Sequence, residues 1–258
     1  MSSLLITEIQ ERVAYLILNY TEKRNALCPA LVEDMTAAIL DFNTQQDIKV
    51  IVIKSAGKPF CAGADLHYLT QMRNFTIEEN EKDSSLLRHL FDAIYLSPKL
   101  VISQVEGPAL AGGCGLATLA DLCIATPEAS FGYTEVKIGF VPALVMVYLC
   151  EKVGGAVMAD LLLTGRILSA DEALKLHLVQ RIVDTDLIAE YVNNLAVELC
   201  ENTSSQAVSS IKTMLRAIPI MNRIEALDYA VKQNAKARGT KDCKKGMDAF
   251  LNKQKIKW

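Results

Sequence analysis

The sequence predicts an α/β fold with a helical C-terminal part, and three observations carry that prediction. Strand, loop and helix patterns alternate twice from residue 49 onward, as in right-handed crossovers. Two glycine-bearing segments, GKPFCAGADL at 57–66 and EGPALAGGCGL at 106–116, each follow a β-branched apolar run and open a helical pattern. Beyond Asp184 the pattern is helical throughout, which divides the 258 residues into a core over 1–184 and a helical part over 185–258 that packs on the core or on a neighbouring subunit.

Along the chain, apolar runs at 4–9 and 13–18 flank Gln10, Glu11 and Arg12 and predict a hairpin. Pro29 starts a helix to about residue 43, with Leu31, Met35, Ile39 and Phe42 on one face. KVIVIK at 49–54 and LVISQV at 100–105 predict buried strands, and the polar stretch 76–96 between them suits a helix. Short strands follow at 122–125, 130–132 and 178–183. Residues 186–199, 204–218, 220–237 and 240–253 predict the closing helices.

Composition restricts the function. Hydrophobic residues make up 51% of the chain, enough for a substantial core, and a net charge of −3 offers no footprint for nucleic acid. The seven cysteines form no C-x-x-C pair and no basic region with an apolar signal core opens the chain, so a reduced, cytoplasmic protein is expected. The most apolar stretch, 138–150, is too short to span a bilayer and is interrupted by Pro142, so no membrane role is expected. No metal site is expected either, since His67, His89 and His177 lack partners at ligand spacing.

The chemistry resides in the two glycine segments. Each presents unpaired backbone N–H groups at a helix start, and two such groups converging on one oxygen make an oxyanion hole. Glu135 lies among Phe131, Tyr133, Val136 and Phe140, apolar neighbours that raise a carboxyl pKa toward that of a working base. Asp121 reads as a structural hydrogen-bonder and Cys61 and Cys114 as packing residues, with no histidine placed to activate either thiol. Helix residues 144–149 either lie beside a ligand or join the core.

Five motifs in order and spacing resemble the enoyl-CoA hydratase/isomerase (crotonase) superfamily. They are FCAGADL at 60–66, the loop Gly107-x4-Gly112-Gly113-x-Gly115, Ala120-Asp121, Phe131-Gly132 with Glu135 and Gly139, and Leu163-Thr164-Gly165-Arg166 with Ala170 and Ala173. Residues 23–27 also fit its N-terminal signature. The resemblance implies a crotonase-like core of stacked β-β-α turns, a helical trimerisation part, a homotrimer or dimer of trimers, and an acyl-CoA thioester substrate with no separate cofactor. It implies that the N–H groups of Ala64 and Gly112 are the oxyanion donors. It further implies that Ala62, Gly63, Asp65, Leu66, Gly113 and Tyr133 line the substrate path, that Lys23 and Arg24 meet the coenzyme's phosphates, and that Lys253 serves an adjacent subunit's ligand.

Hydratases of this family carry two glutamates, and Glu135 matches the second. The first position is Gly115 here, so the resemblance implies a single acid/base. The run 133–143 resembles bacterial methylglutaconyl-CoA-type hydratases, which favours hydration of a branched or carboxylated enoyl-CoA. Double-bond isomerisation, acyl-CoA decarboxylation and a catalytically silent CoA-binding subunit are the alternatives. An NAD-dependent dehydrogenase is disfavoured, because the G-x-G-x-x-G begun by Gly113 and Gly115 ends in Thr118.

Overall fold

A computed structural model describes residues 3–258. Its strands are β1 (Leu5–Gln10), β2 (Val13–Leu18), β3 (Val50–Ser55), β4 (Leu100–Val105), β5 (Pro108–Leu110), β6 (Leu122–Ala125), β7 (Ser130–Gly132), β8 (Leu168–Ser169) and β9 (Arg181–Ile182). Its helices are α1 (Pro29–Thr44), α2 (Leu66–Met72), α3 (Ile77–Tyr95), α4 (Gly112–Leu119), α5 (Ala143–Thr164, interrupted at Gly154), α6 (Ala170–Lys175), α7 (Ile188–Asn202), α8 (Ser205–Ala217), α9 (Arg223–Gly239) and α10 (Lys241–Leu251).

Six strands form the long sheet in the order β1-β2-β3-β4-β6-β9, parallel except for the predicted β1–β2 hairpin. A second sheet runs β5-β7-β8, and a parallel bridge from Cys61 to Ala109 extends it. Three successive turns of the chain therefore give one strand to each sheet: β3 with Cys61, β4 with β5, and β6 with β7. The strand expected over 178–183 is only β9, because Leu178 and Val179 turn back to the carbonyl of Ala173 and leave only Arg181 and Ile182 to pair with β6.

Strand periodicity explains the two cores. In β2 all six residues are buried: Ala14, Leu16 and Leu18 enter one apolar cluster, while Val13, Tyr15 and Ile17 enter the other. The first cluster packs under α1, α3, α4 and α5; the second is covered by Ile188, Val192, Ala196 and Cys200 of α7. Thus the first helix beyond the 184/185 boundary completes the core, and only α8 to α10 extend beyond it. Thr76 starts α3 with a capping box, exchanging hydrogen bonds with Glu79. Among the described residues no helix is long and apolar enough to cross a membrane.

Candidate active site

The short sheet sets the register of the two glycine segments. The N–H of Cys61 donates to the carbonyl of Pro108 at 3.2 Å, and the N–H of Leu110 donates to the carbonyl of Cys61 at 2.9 Å. Three residues beyond the Cys61–Ala109 pair, the two chains reach Ala64 and Gly112. A second bridge, Leu27 to Ala64, clamps the other side through Leu27 N–H to Gly63 O (2.6 Å) and Asp65 N–H to Leu27 O (3.1 Å). Among the described residues neither the Ala64 nor the Gly112 N–H has a protein acceptor, and both residues line the same cavity.

Close backbone approach makes this arrangement possible. Gly63 has φ 89°, and a Cβ there would sit 2.9 Å from the Ala111 Cβ. Ala111 caps α4 with φ 50° and ψ −127°, a strained conformation for alanine. It is held there by its N–H to Gly132 O (2.7 Å) and by its carbonyl, which accepts from Cys114 and Gly115. The turn leaves Gly112 as the first residue of α4, where the helix dipole favours negative charge. Buried Asn25 secures the first segment from below, its Nδ2 donating to Ser55 Oγ and to the carbonyls of Pro59 and Phe60.

The cavity measures about 620 Å³ and Glu135 lines it. Glu135 begins a 3-10 turn (Glu135–Ile138) just after β7, fixed by the Phe140 N–H donating to its carbonyl at 3.0 Å. Its Oε2 is buried without a hydrogen-bond partner among the described residues, and burial pushes the carboxyl above its ordinary value. Of the four apolar neighbours expected around it, only Phe140 lines the cavity. Phe131 and Tyr133 lie beneath in the core, and exposed Val136 turns toward Gly165.

Gly115 does not line this cavity and borders a second, smaller one. A Cβ there would meet Val145 Cγ2 at 2.7 Å and Phe91 Cζ at 3.2 Å, so α3 and α5 fill the place where a first carboxylate would project.

The remaining site expectations divide. Ala62 and Leu66 line the cavity; Gly63, Asp65, Gly113 and Tyr133 do not. Asp65 is the N-cap of α2, accepting from Tyr68 N–H at 2.9 Å. Gly113 packs on Cys61, whose carbonyl would lie 2.4 Å from an added Cβ. Tyr133 is 1% exposed, with its hydroxyl 2.9 Å from Thr118 Oγ1. Lys23, Arg24 and Lys253 are exposed and lie outside the cavity lining of a single chain.

Asp121 accepts from Val101 N–H at 2.8 Å and pairs with Lys212. Cys61 and Cys114 are buried, each thiol pushed up to about 12 by burial. Leu144 and Val145 of the 144–149 run reach the cavity, whereas Met146 and Val147 face outward.

Sequence reasoning missed a polar group in the lining: Tyr68 of α2 with Asn80, Asp83 and Ser84 of α3. The Tyr68 hydroxyl donates to Asp83 Oδ1 at 2.5 Å. The spacing of 80, 83, 84 and 87 on one helical face was the available signal.

Comparison with known proteins bears on this geometry. The family model described as "Enoyl-CoA hydratase/isomerase" matches residues 8–258. A Thermus thermophilus protein named "Putative enoyl-CoA hydratase" is 40% identical, over 94% of this chain and 95% of its own length. The crotonyl-CoA hydratase of Syntrophomonas wolfei is 31% identical over 97% of this chain and 96% of its own. The crystal structure of an enoyl-CoA hydratase from Shewanella pealeana superposes with a TM-score of 0.93 at 27% identity, covering 99% of this chain and 96% of that one.

Proposed function

Since the chain belongs to the enoyl-CoA hydratase/isomerase family, we propose that it is a lyase that adds water across the double bond of an enoyl-CoA thioester. The observation that carries the reading is the unpartnered, buried Glu135 Oε2 in the same cavity as the free amides of Ala64 and Gly112. The two N–H groups hold the thioester oxygen and favour the enolate that forms there.

Glu135 takes a proton from water as the water oxygen bonds to C3, and the electrons of the double bond move onto the thioester oxygen. The same carboxyl then returns that proton to C2, so one acid/base completes the addition. Burial suits it to this work, because a carboxyl with a raised pKa accepts and releases a proton more evenly near neutral pH.

A second reading follows from the filled position at Gly115. One carboxylate is enough to carry a proton between C4 and C2, the double-bond isomerase reaction. The resemblance over 133–143 favours a branched acyl group in either case. Exposed Ile220, Ile224, Leu227 and Val231 support a homotrimer or dimer of trimers formed through the C-terminal helices, and light scattering at three or six subunits checks it.

The functional test is incubation with crotonyl-CoA and 3-methylglutaconyl-CoA, with product mass as the readout. A water adduct that disappears in Glu135→Gln supports the hydratase; a same-mass product with a moved double bond supports the isomerase. Retained hydration in Glu135→Gln rejects the assignment of the acid/base.

A further inference from the structure

We propose that Asp83, held in the cavity by Tyr68, makes this site select uncharged acyl groups over carboxylated ones. The proposal rests on reading the cavity as an acyl-CoA site and refines its substrate class.

The lining of the cavity carries two carboxylates, Asp83 and Glu135, and among the described residues no lysine, arginine or histidine. An acyl carboxylate entering it would meet like charge with no cation to compensate.

Apart from the Ala64 and Gly112 amides and the Ser84 and Thr134 hydroxyls, hydrogen-bond donors are scarce there. The single hydroxyl proton of Tyr68 is committed to Asp83 Oδ1. Burial, reinforced by that hydrogen bond, pushes the hydroxyl above its ordinary value, so it remains a donor to Asp83 and does not ionise. Asn80 turns its Nδ2 away to the carbonyls of Thr76 (3.0 Å) and Phe75 (3.4 Å). What remains on this wall is the Ser84 hydroxyl beside the Asp83 carboxylate, with no cation, which suits an alkyl group or one bearing a hydroxyl better than a second carboxylate.

Cations do lie nearby in the chain, but in a different cavity. Lys152, Lys212 and Arg216 line a space of about 300 Å³ that shares Val145 with the first. Val145, packed on Gly115, stands between the two. The ammonium of Lys152 is taken by the carbonyls of Thr118 and Ala120, and that of Lys212 by Asp121 and the carbonyl of Lys99. Neither lysine is free to receive an acyl carboxylate, and the Arg216 guanidinium lies over the Tyr95 ring at 4.7 Å, on the far side of Val145. The carboxylated, methylglutaconyl-like substrate suggested by residues 133–143 is therefore disfavoured, while a branched neutral one is not.

Calorimetric binding of two saturated thioesters that cannot be hydrated, butyryl-CoA and glutaryl-CoA, tests this without reference to turnover. Both carry the same coenzyme, so their ratio isolates the acyl charge. The wild type should bind butyryl-CoA at least about tenfold more tightly, as expected for like charges in a partly dry pocket. Asp83→Asn should shrink that ratio severalfold, with Asp83→Ala as a second neutral variant.

Equal binding of the two thioesters by the wild type, tighter binding of glutaryl-CoA, or a ratio unmoved by both Asp83 variants overturns the proposal. Charge discrimination in a protein that forms no water adduct would reject the hydratase reading and leave this one standing. Failure to bind either thioester would reject both.

Discussion

Replacing Gly115 with alanine sets two opposing effects against each other, and their sizes follow from its surroundings. The new Cβ would lie 2.7 Å from Val145 Cγ2 and 3.2 Å from Phe91 Cζ, against a comfortable carbon–carbon separation of about 3.5–4.0 Å. Phe91 is fully buried, and Val145, 5% exposed, can yield only by shifting toward one of the two cavities it lines. Overpacking of this kind costs about 1–3 kcal/mol. Gly115 also lies inside α4, where alanine is favoured over glycine by about 0.5–1 kcal/mol. The net expectation for Gly115→Ala is a loss of about 0–2.5 kcal/mol.

In a Val145→Ala background the 2.7 Å clash is gone, while the 3.2 Å contact with Phe91 and the helical preference remain. There the same substitution should cost at least about 1 kcal/mol less than in the wild type. Thermal unfolding of the wild type, the two single variants and the double variant at one protein concentration reads it, at about 2–4 °C per kcal/mol. If Gly115→Ala shifts Tm equally in both backgrounds, Val145 does not occupy this position and the argument for a single carboxylate loses its steric basis.

Two further predictions concern charge. The carboxyl of Glu135 is raised in the folded protein, so its contribution to stability is full below the unfolded value, near 4.5, and is lost as pH rises through the folded value. At neutral pH the ionised group weighs against the fold: Glu135→Gln should melt above the wild type at about pH 7, with the gap closing on acidification. A gap constant across that range refutes the burial argument. Asp121→Ala leaves Lys212, whose side chain is 6% exposed, without its partner. It should cost about 3–5 kcal/mol in urea unfolding, whereas removing Glu201 from its exposed pair with Lys257 should cost no more than about 1 kcal/mol. Similar losses from both would contradict the difference in burial.

Much of the fold was legible because local signals and burial agree. The hairpin, α1 and the buried strands β3 and β4 read directly from period-2 and period-3.6 patterns and from Pro29 at a helix start. The glycine segments were legible as helix openings, but which glycines face the cavity was not. Gly63 and Gly113 are small because neighbouring backbone comes within touching distance, a tertiary fact with no local signature. Tyr133 follows the same rule: its place in the sequence suggests the site, while its hydroxyl is held by Thr118 in the core. Conversely, Asp83 stands in a polar helical stretch, and its contact with the Tyr68 hydroxyl of α2 is a tertiary one.

The pairing of Cys61 with Ala109 ties the spacing of two distant peptide groups to a count of residues, not to their identities. Three residues lead from each bridge partner to its amide, so losing or gaining one residue in either short arm would swing that N–H to the opposite side of its chain. The turn between α2 and α3 is under no such arithmetic. Length variation in this protein is therefore tolerable around the exposed turn between α2 and α3 and intolerable within 61–64 and 109–112.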